Sequence, residues 1–103
     1  MPLGITARAA RIIIDFTRKE IAKLGGDHVP GIAWIVGDSD SRRSVPRLAV
    51  GIGEREQLKG RLLPCEAANF EIFQALPDEI LQEYQSHLVD VKDDQLVFVR
   101  NPT

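Results

Sequence analysis

Cys65, His28 and His87 are the residues of this sequence whose types could carry nucleophilic chemistry. A thiol–imidazole pair would make Cys65 the nucleophile of a small enzyme, but an activated thiolate needs a positive environment and an oriented base. Glu66 follows Cys65 and opposes thiolate formation, and spacing identifies no third, orienting residue. Because cysteine is among the residue types most often buried, the sequence favours a packed, inert thiol.

Metal chemistry is the second possibility that these residue types raise. Asp38 and Asp40 begin like a calcium-binding loop, which requires glycine at its sixth position and glutamate at its twelfth. Arg43 and Ala49 stand there instead, and two arginines would repel a cation. We therefore expect no resident metal or cofactor. The segment that contains Asp38, Asp40, Arg42 and Arg43 has no apolar residue, and we interpret it as an exposed interaction surface.

Length and composition indicate one soluble domain spanning residues 1–103. The chain has 103 residues, of which 44% are hydrophobic, as is usual for a globular protein. No apolar run approaches the roughly 20 residues that a membrane span needs, and the N-terminus lacks the apolar core of a secretory signal. These features predict a cytoplasmic protein that does not act on membranes.

The charges divide unevenly between the two parts of the chain. Residues 1–61 contain eleven Lys or Arg and seven Asp or Glu, whereas residues 62–103 contain two and eight. Such asymmetry favours a protein partner or head-to-tail self-association as a dimer, and the alternative is that folding interleaves the two halves and cancels the field. No aromatic residue lies among the positive charges of the first helix, so we expect no nucleic-acid binding.

The strongest periodic pattern predicts an amphipathic helix from Ile5 to Leu24. Thr6 is a suitable N-cap, and Gly25-Gly26 ends the pattern. The apolar half of the helix includes Phe16, and the other half carries all five of its basic residues. We expect this basic half to face solvent and to contribute, with the loop that contains Arg42 and Arg43, to the interaction surface.

The rest of the chain predicts two hairpins, a further strand and a short helix. Trp34 lies in a run that is apolar on both faces, so we predict that it belongs to the core. Leu62 to Ala68 is predicted to be a loop. The other predicted elements are strands at Gly31–Gly37 and Pro46–Ile52, a strand at Asn69–Leu76, a helix from Pro77 to about Ser86, and a closing hairpin of His87–Val91 and Gln95–Arg100 with its turn at Lys92-Asp93-Asp94.

This order of elements predicts an α+β fold. Five or six strands with one long N-terminal helix and one short helix suggest a mostly antiparallel curled sheet or a flattened barrel, with the long helix against one face.

The element order and several short motifs resemble the HesB-like domain of A-type iron–sulfur cluster carriers. The family opens with Ile-Thr and an apolar helix, as at Ile5-Thr6, and closes with a phenylalanine followed by Asn-Pro, as at Phe98 and Asn101-Pro102. Further similarities are the glycine that starts the first long strand (Gly31), the strand Phe70-Glu71-Ile72-Phe73, and the strand Leu88-Val89-Asp90-Val91. The resemblance covers nearly the whole chain and implies the same fold.

The family's three cysteine positions are absent from this sequence. One should fall within Gly37 to Ser41, and two more should follow Asn-Pro, where this sequence reaches Thr103. Thiolates hold such clusters, so the resemblance argues for a non-catalytic interaction or accessory module connected with iron–sulfur cluster assembly. The alternatives are an iron or iron–sulfur carrier that uses Cys65 in an oligomer, and the small enzyme with Cys65 as nucleophile.

Overall fold

A computed structural model describes residues 2–36, 46–65 and 70–101 of the chain. The fold is α+β, as the sequence predicts, with one long N-terminal helix and one short helix. In chain order the elements are β1 (Gly4–Ile5), α1 (Ala7–Leu24), β2 (His28–Ile35), β3 (Arg47–Glu54), β4 (Leu62–Leu63), β5 (Ile72–Ala75), α2 (Asp78–Glu83), β6 (His87–Lys92) and β7 (Gln95–Arg100).

The described strands form two open sheets rather than a closed barrel. Sheet A has the order β1-β6-β7, and sheet B has the order β3-β2-β5-β4. Three of the five pairings are antiparallel, whereas β1 with β6 and β2 with β5 are parallel. The expectation of a mostly antiparallel arrangement is therefore confirmed, and the parallel pairs join segments that are distant in sequence.

Helix α1 begins and ends where its sequence signals indicate. The Thr6 hydroxyl accepts a hydrogen bond from the Ala9 N–H at 3.1 Å, which satisfies one of the free donors of the first turn. Gly25 follows the last turn with a φ of 65°, a left-handed value that glycine adopts without strain. Ala9, Ala10, Ile13 and Thr17 are buried, so one narrow strip of α1 packs between the sheets.

The bridge seam is the first place where the sheets meet, and it consists of Ile5, Pro64 and Cys65. Ile5 of sheet A forms an isolated parallel bridge with Cys65, which follows β4 of sheet B. The Ile5 N–H donates a hydrogen bond to the Pro64 carbonyl at 2.9 Å. A main-chain connection therefore joins the edge of one sheet to the edge of the other.

The ring seam is the second meeting place, where β3 lies next to β7. Its residues are Trp34 of β2, Phe98 of β7 and Tyr84, which caps α2. The Tyr84 and Phe98 rings stack at 3.7 Å, and the Trp34 and Phe98 centroids are 6.1 Å apart. All three rings are half-buried and pack against the main core, so the expectation that Trp34 is a core residue holds only in part.

Three local predictions need correction. The segment Leu62 to Ala68 is not entirely loop, because Leu62–Leu63 form β4 against β5. The first long strand starts earlier than predicted, at His28, and ends at Ile35. Phe16, which periodicity places on the apolar half of α1, is 75% exposed.

Among the described residues, no helix is long and apolar enough to cross a membrane.

Candidate functional site

The residues that the sequence nominates as an interaction surface lie outside the described part of the chain. Asp38, Asp40, Arg42 and Arg43 belong to the segment 37–45, between β2 and β3. Cys65 is described. It is half-buried, has a free thiol and packs against the main core at the bridge seam.

The two histidines use a ring nitrogen to bind nearby main chain. His28 Nδ1 donates a hydrogen bond to the Gly25 carbonyl, and His87 Nδ1 donates one to the Gln85 carbonyl at 2.8 Å. His87 begins β6, and the strand register places its Cα roughly 12 Å from that of Cys65. A direct hydrogen bond between Cys65 and His87 is too long to form at this separation.

Helix α1 carries an exposed stripe that we call the α1 stripe, and it consists of Arg8, Ile12, Phe16, Lys19 and Lys23. Successive members are three or four residues apart, so they lie along one side of the helix. Ile12 is 42% exposed and Phe16 is 75% exposed, and the three basic residues are also exposed. Two apolar side chains therefore lie in the open between positive charges at both ends.

The N-terminal end of the α1 stripe is anchored to sheet A. Arg8 forms two hydrogen bonds with Asp90, from Nε at 3.2 Å and from Nη2 at 2.7 Å, and the Thr6 hydroxyl donates another at 2.9 Å. Burial alone would raise the pKa of Asp90, but hydrogen bonds from Arg8, the Val91 N–H and Thr6 outweigh it, and the pKa is lowered. Asp90 is therefore held in its charged form, and this carboxylate anchors the start of α1.

A second ion-pair group lies on sheet B, at the end where β2 and β5 begin and β3 ends. Arg55 donates to Asp27 at 3.0 Å and to Glu71 at 3.2 Å, and its guanidinium lies 5.7 Å from the centre of the Phe73 ring. Hydrogen bonds to Asp27 and Glu71 raise the pKa of Arg55. All three charged side chains are exposed, so this group contributes little stability and covers the outer face of β5.

A cavity of about 230 Å³, which we call the wedge cavity, opens beside the bridge seam. It lies between the N-terminal segment, β4 and α2. Its described lining contains apolar and amide side chains but no charged or aromatic residue: Pro2, Leu3, Leu62, Leu63, Pro64, Gln74, Leu81, Gln82 and Gln85. The two segments that line one side of it, residues 2–3 and 62–64, directly precede the bridge of Ile5 with Cys65 in the chain.

Gln74 supplies the buried polar group of the wedge cavity. Gln74 is only 8% exposed, and its Oε1 accepts a hydrogen bond from the Leu76 N–H at 2.8 Å. Its Nε2 has no acceptor among the described residues. Since every fully enclosed side-chain nitrogen or oxygen in the described part of the chain has a partner, this Nε2 must border open space.

Sequence reasoning did not nominate the wedge cavity. Of the α1 stripe, it predicted that the basic residues are exposed, which is confirmed, but it did not predict the exposure of Phe16. The cavity depends on contacts among three segments that are far apart in sequence, and glutamine carries no motif that would mark it. The stripe had one usable signal, because Phe16 lies near the edge of the apolar half of the helix, next to Lys19 and Lys23.

The described residues offer little to a metal ion. In the ranges 2–36, 46–65 and 70–101, no group of three His, Cys, Asp or Glu side chains is placed to hold one. Searches of protein-family models, of curated proteins and of solved structures found no match to this chain.

Proposed function

We propose that this chain is a non-catalytic HesB-like domain protein that serves as an interaction or accessory module, with iron–sulfur cluster assembly as its process. The observation that carries the proposal is the exposed α1 stripe. Its apolar centre and basic ends suit a protein surface that offers an apolar patch bordered by carboxylates. The HesB-like part of the proposal rests on the sequence resemblance alone.

Phe16 is the central residue of this argument. An exposed single apolar residue is ordinary, but Phe16 lies one helical turn from Ile12, which is also exposed. A phenylalanine with three quarters of its surface in water gains free energy when a partner covers it. Partner binding is therefore the role that its position supports.

The charges around Phe16 determine the kind of partner. Lys19 and Lys23 extend from the same side of the helix, where Lys23 Nζ lies 3.8 Å from the exposed Glu20 carboxylate. Arg8 remains 67% exposed although it binds Asp90. Acidic partners would be steered to this side and held in register by these charges. Residues 62–103 of the chain are themselves acidic, so a second copy is one partner that fits this chemistry.

The donor set of the chain does not suit an iron–sulfur cluster. Clusters are usually held by four cysteine thiolates, and each chain has Cys65 alone. Two chains would supply two thiolates. We therefore place the protein beside cluster assembly as an accessory component and derive no step through a cluster.

Site-specific photo-crosslinking in cells tests the module directly. A benzophenone side chain replaces Phe16, and the matched control carries it at Ala22, which is also exposed but lies on another side of α1. We expect crosslinks from position 16 to a protein with an acidic, partly apolar surface, or to a second copy, and far fewer from position 22. Equal crosslinking at both positions, or none at position 16, would refute the assignment.

Anaerobic reconstitution with iron and sulfide tests the cluster-free part of the proposal. We expect a colourless protein with and without Cys65→Ser. A visible-range chromophore that disappears in Cys65→Ser would instead establish the carrier function.

A further inference from the structure

We infer that the wedge cavity is a binding site for an uncharged aliphatic amide, such as a leucine-like residue with its flanking peptide groups. The inference is independent of the proposed function, because the wedge cavity and the α1 stripe share no residue.

The described part of the lining disfavours charged ligands. No described residue of the lining carries a charge, so a carboxylate, phosphate or ammonium group would lose its hydration without gaining an ionic partner. The floor and walls are formed by leucine and proline side chains, which favour an aliphatic body. A volume of about 230 Å³ corresponds to roughly eight water molecules, which is enough for one aliphatic side chain with an adjoining amide.

Gln74 supplies a hydrogen-bond donor at the base of the site. Its Oε1 is engaged by the Leu76 N–H, so the orientation of the amide is determined and its NH₂ group is the end that remains. A donor that is nearly buried and has no protein acceptor is stabilised by a ligand carbonyl. This requirement distinguishes the site from a plain apolar cleft.

The main chain of β4 supplies a second pair of polar groups. Gln74 N–H donates to the Arg61 carbonyl at 2.9 Å, and Leu62 pairs with Phe73 one residue further on. Because antiparallel strands alternate the direction of their hydrogen bonds, the N–H and C=O of Leu62 point away from β5, towards the wedge. Pro64 follows the same alternation, and its carbonyl binds Ile5.

An amide ligand complements both the hydrogen-bond donors and the hydrogen-bond acceptor of the site. Its carbonyl can accept from Gln74 or from the Leu62 N–H, and its N–H can donate to the Leu62 carbonyl. Leu62 is 51% exposed at the mouth of the cavity, so a ligand would also cover apolar surface that the protein leaves in water. The same chemistry could come from a residue within an extended peptide or from a free acyl amide.

NMR titration of the ¹⁵N-labelled full chain tests the site with three probes. These are N-acetyl-leucinamide, N-acetyl-leucine as its charged counterpart of equal size, and a blocked Ala-Leu-Ala tripeptide. We expect N-acetyl-leucinamide to produce saturable shifts of the Gln74 side-chain NH₂ signals and of the Leu62 and Leu63 amides. N-acetyl-leucine should bind at least about tenfold more weakly, because its carboxylate finds no cation.

Gln82→Trp provides the steric test, and Glu83→Trp is its matched control. Both residues are exposed neighbours on α2, but only Gln82 lines the cavity, so neither change should prevent folding. Gln82→Trp should weaken binding of N-acetyl-leucinamide at least about tenfold by closing the mouth, while Glu83→Trp should leave it unchanged.

The results of these titrations distinguish a binding site from none, and a peptide ligand from a free amide. No saturable shift with N-acetyl-leucinamide, equal binding of its charged counterpart, or equal effects of the two tryptophans would each overturn the site. If the tripeptide binds more tightly than N-acetyl-leucinamide, the natural source is a peptide that also uses the edge of β4. Equal affinity indicates a free amide, and both results support the site.

Discussion

The two seams join the same pair of sheets by different interactions. At the bridge seam, the Ile5 N–H binds the Pro64 carbonyl and one parallel bridge forms with Cys65. At the ring seam, Phe98 stacks on Tyr84 and meets Trp34, and no hydrogen-bonded ladder joins β3 to β7 among the described residues. One seam depends on main-chain geometry, and the other depends on side-chain area.

The difference explains where the open space lies. Rings can adjust to fill a gap of irregular width, so the ring seam is closed by apolar contact. A main-chain bridge fixes the strands at one point only, and residues on either side of that point can separate. The wedge cavity lies on the side of Leu3 and Leu63, which precede Ile5 and Cys65 in the chain.

Phe98→Ala should produce the largest effect, because Phe98 is the ring that the other two share. Loss of its contacts should lower the free energy of unfolding by about 3 kcal/mol, the lower end for a buried phenylalanine because the ring is half-buried. Urea denaturation monitored by Trp34 fluorescence would measure the change.

Phe16→Ala is the matched control for that measurement. Phe16 is 75% exposed, so its replacement should change the free energy of unfolding by less than about 0.5 kcal/mol. Equal losses from both variants would mean that the ring seam does not hold the sheets together.

Gly4→Ala should produce the next largest effect, at the bridge seam. A Cβ at Gly4 would lie 3.0 Å from the Pro64 carbonyl oxygen and 3.0 Å from Leu88 Cδ2. Relief of this contact requires movement of main chain, which should cost about 1 to 2 kcal/mol in stability. Gly51→Ala is the control, since its nearest neighbour, Ala33 Cβ, lies 4.0 Å away. Hydrogen exchange of the Ile5 amide should accelerate only in Gly4→Ala.

Asp90→Asn tests the anchor that holds α1 next to the bridge seam. At pH 7 it should reduce the free energy of unfolding by about 1 kcal/mol, a modest value because Arg8 is mostly exposed. The pKa of Asp90 is lowered in the folded state. Its contribution is therefore complete above the unfolded value of about 3.9 and is lost as the pH falls through the lower folded value.

The measurement is urea denaturation of wild type and Asp90→Asn from pH 7 to pH 2. The difference between them should shrink below about pH 4. Asp15→Asn, which removes an exposed pair with Arg18, should show almost no difference at pH 7. A constant difference across the range would contradict the role of the Asp90 charge.

Asp94→Gly should produce the smallest effect, and it lies in the turn between β6 and β7, which neither seam includes. Asp93 and Asp94 have φ values of 52° and 62°, the left-handed values of a type I′ turn. Glycine at the second position should raise stability by about 0.5 kcal/mol. Thermal unfolding would show a higher midpoint, and a lower one would mean that the Asp94 side chain contributes to the turn.

Local features of the fold could be predicted from the sequence because their causes are local. The cap at Thr6, the stop at Gly25 and the turn at Asp93-Asp94 each depend on the conformational preferences of a few neighbouring residues. Periodicity also located α1 and the two hairpins. It could not determine the exposure of Phe16, because the sheets cover a narrower strip of the helix than its apolar half.

The candidate sites could not be predicted to the same extent. The bridge between Ile5 and Cys65 spans 60 positions of the chain, and the parallel pairing of β2 with β5 also joins distant segments. The wedge cavity follows from both. Of the predicted site residues, Cys65 is half-buried at the bridge seam, while Asp38, Asp40, Arg42 and Arg43 lie outside the described residues.

The pairing of β1 with β6 has a consequence for synthesis of the protein on the ribosome. Thr6 and Asp90, which bind each other, are 84 positions apart. At about 5 to 20 residues per second, roughly 4 to 17 s pass between the synthesis of Thr6 and that of Asp90. The segment β1 is thus made well before it can dock, and nascent chains stalled before β6 should leave the N-terminus of α1 accessible to proteases.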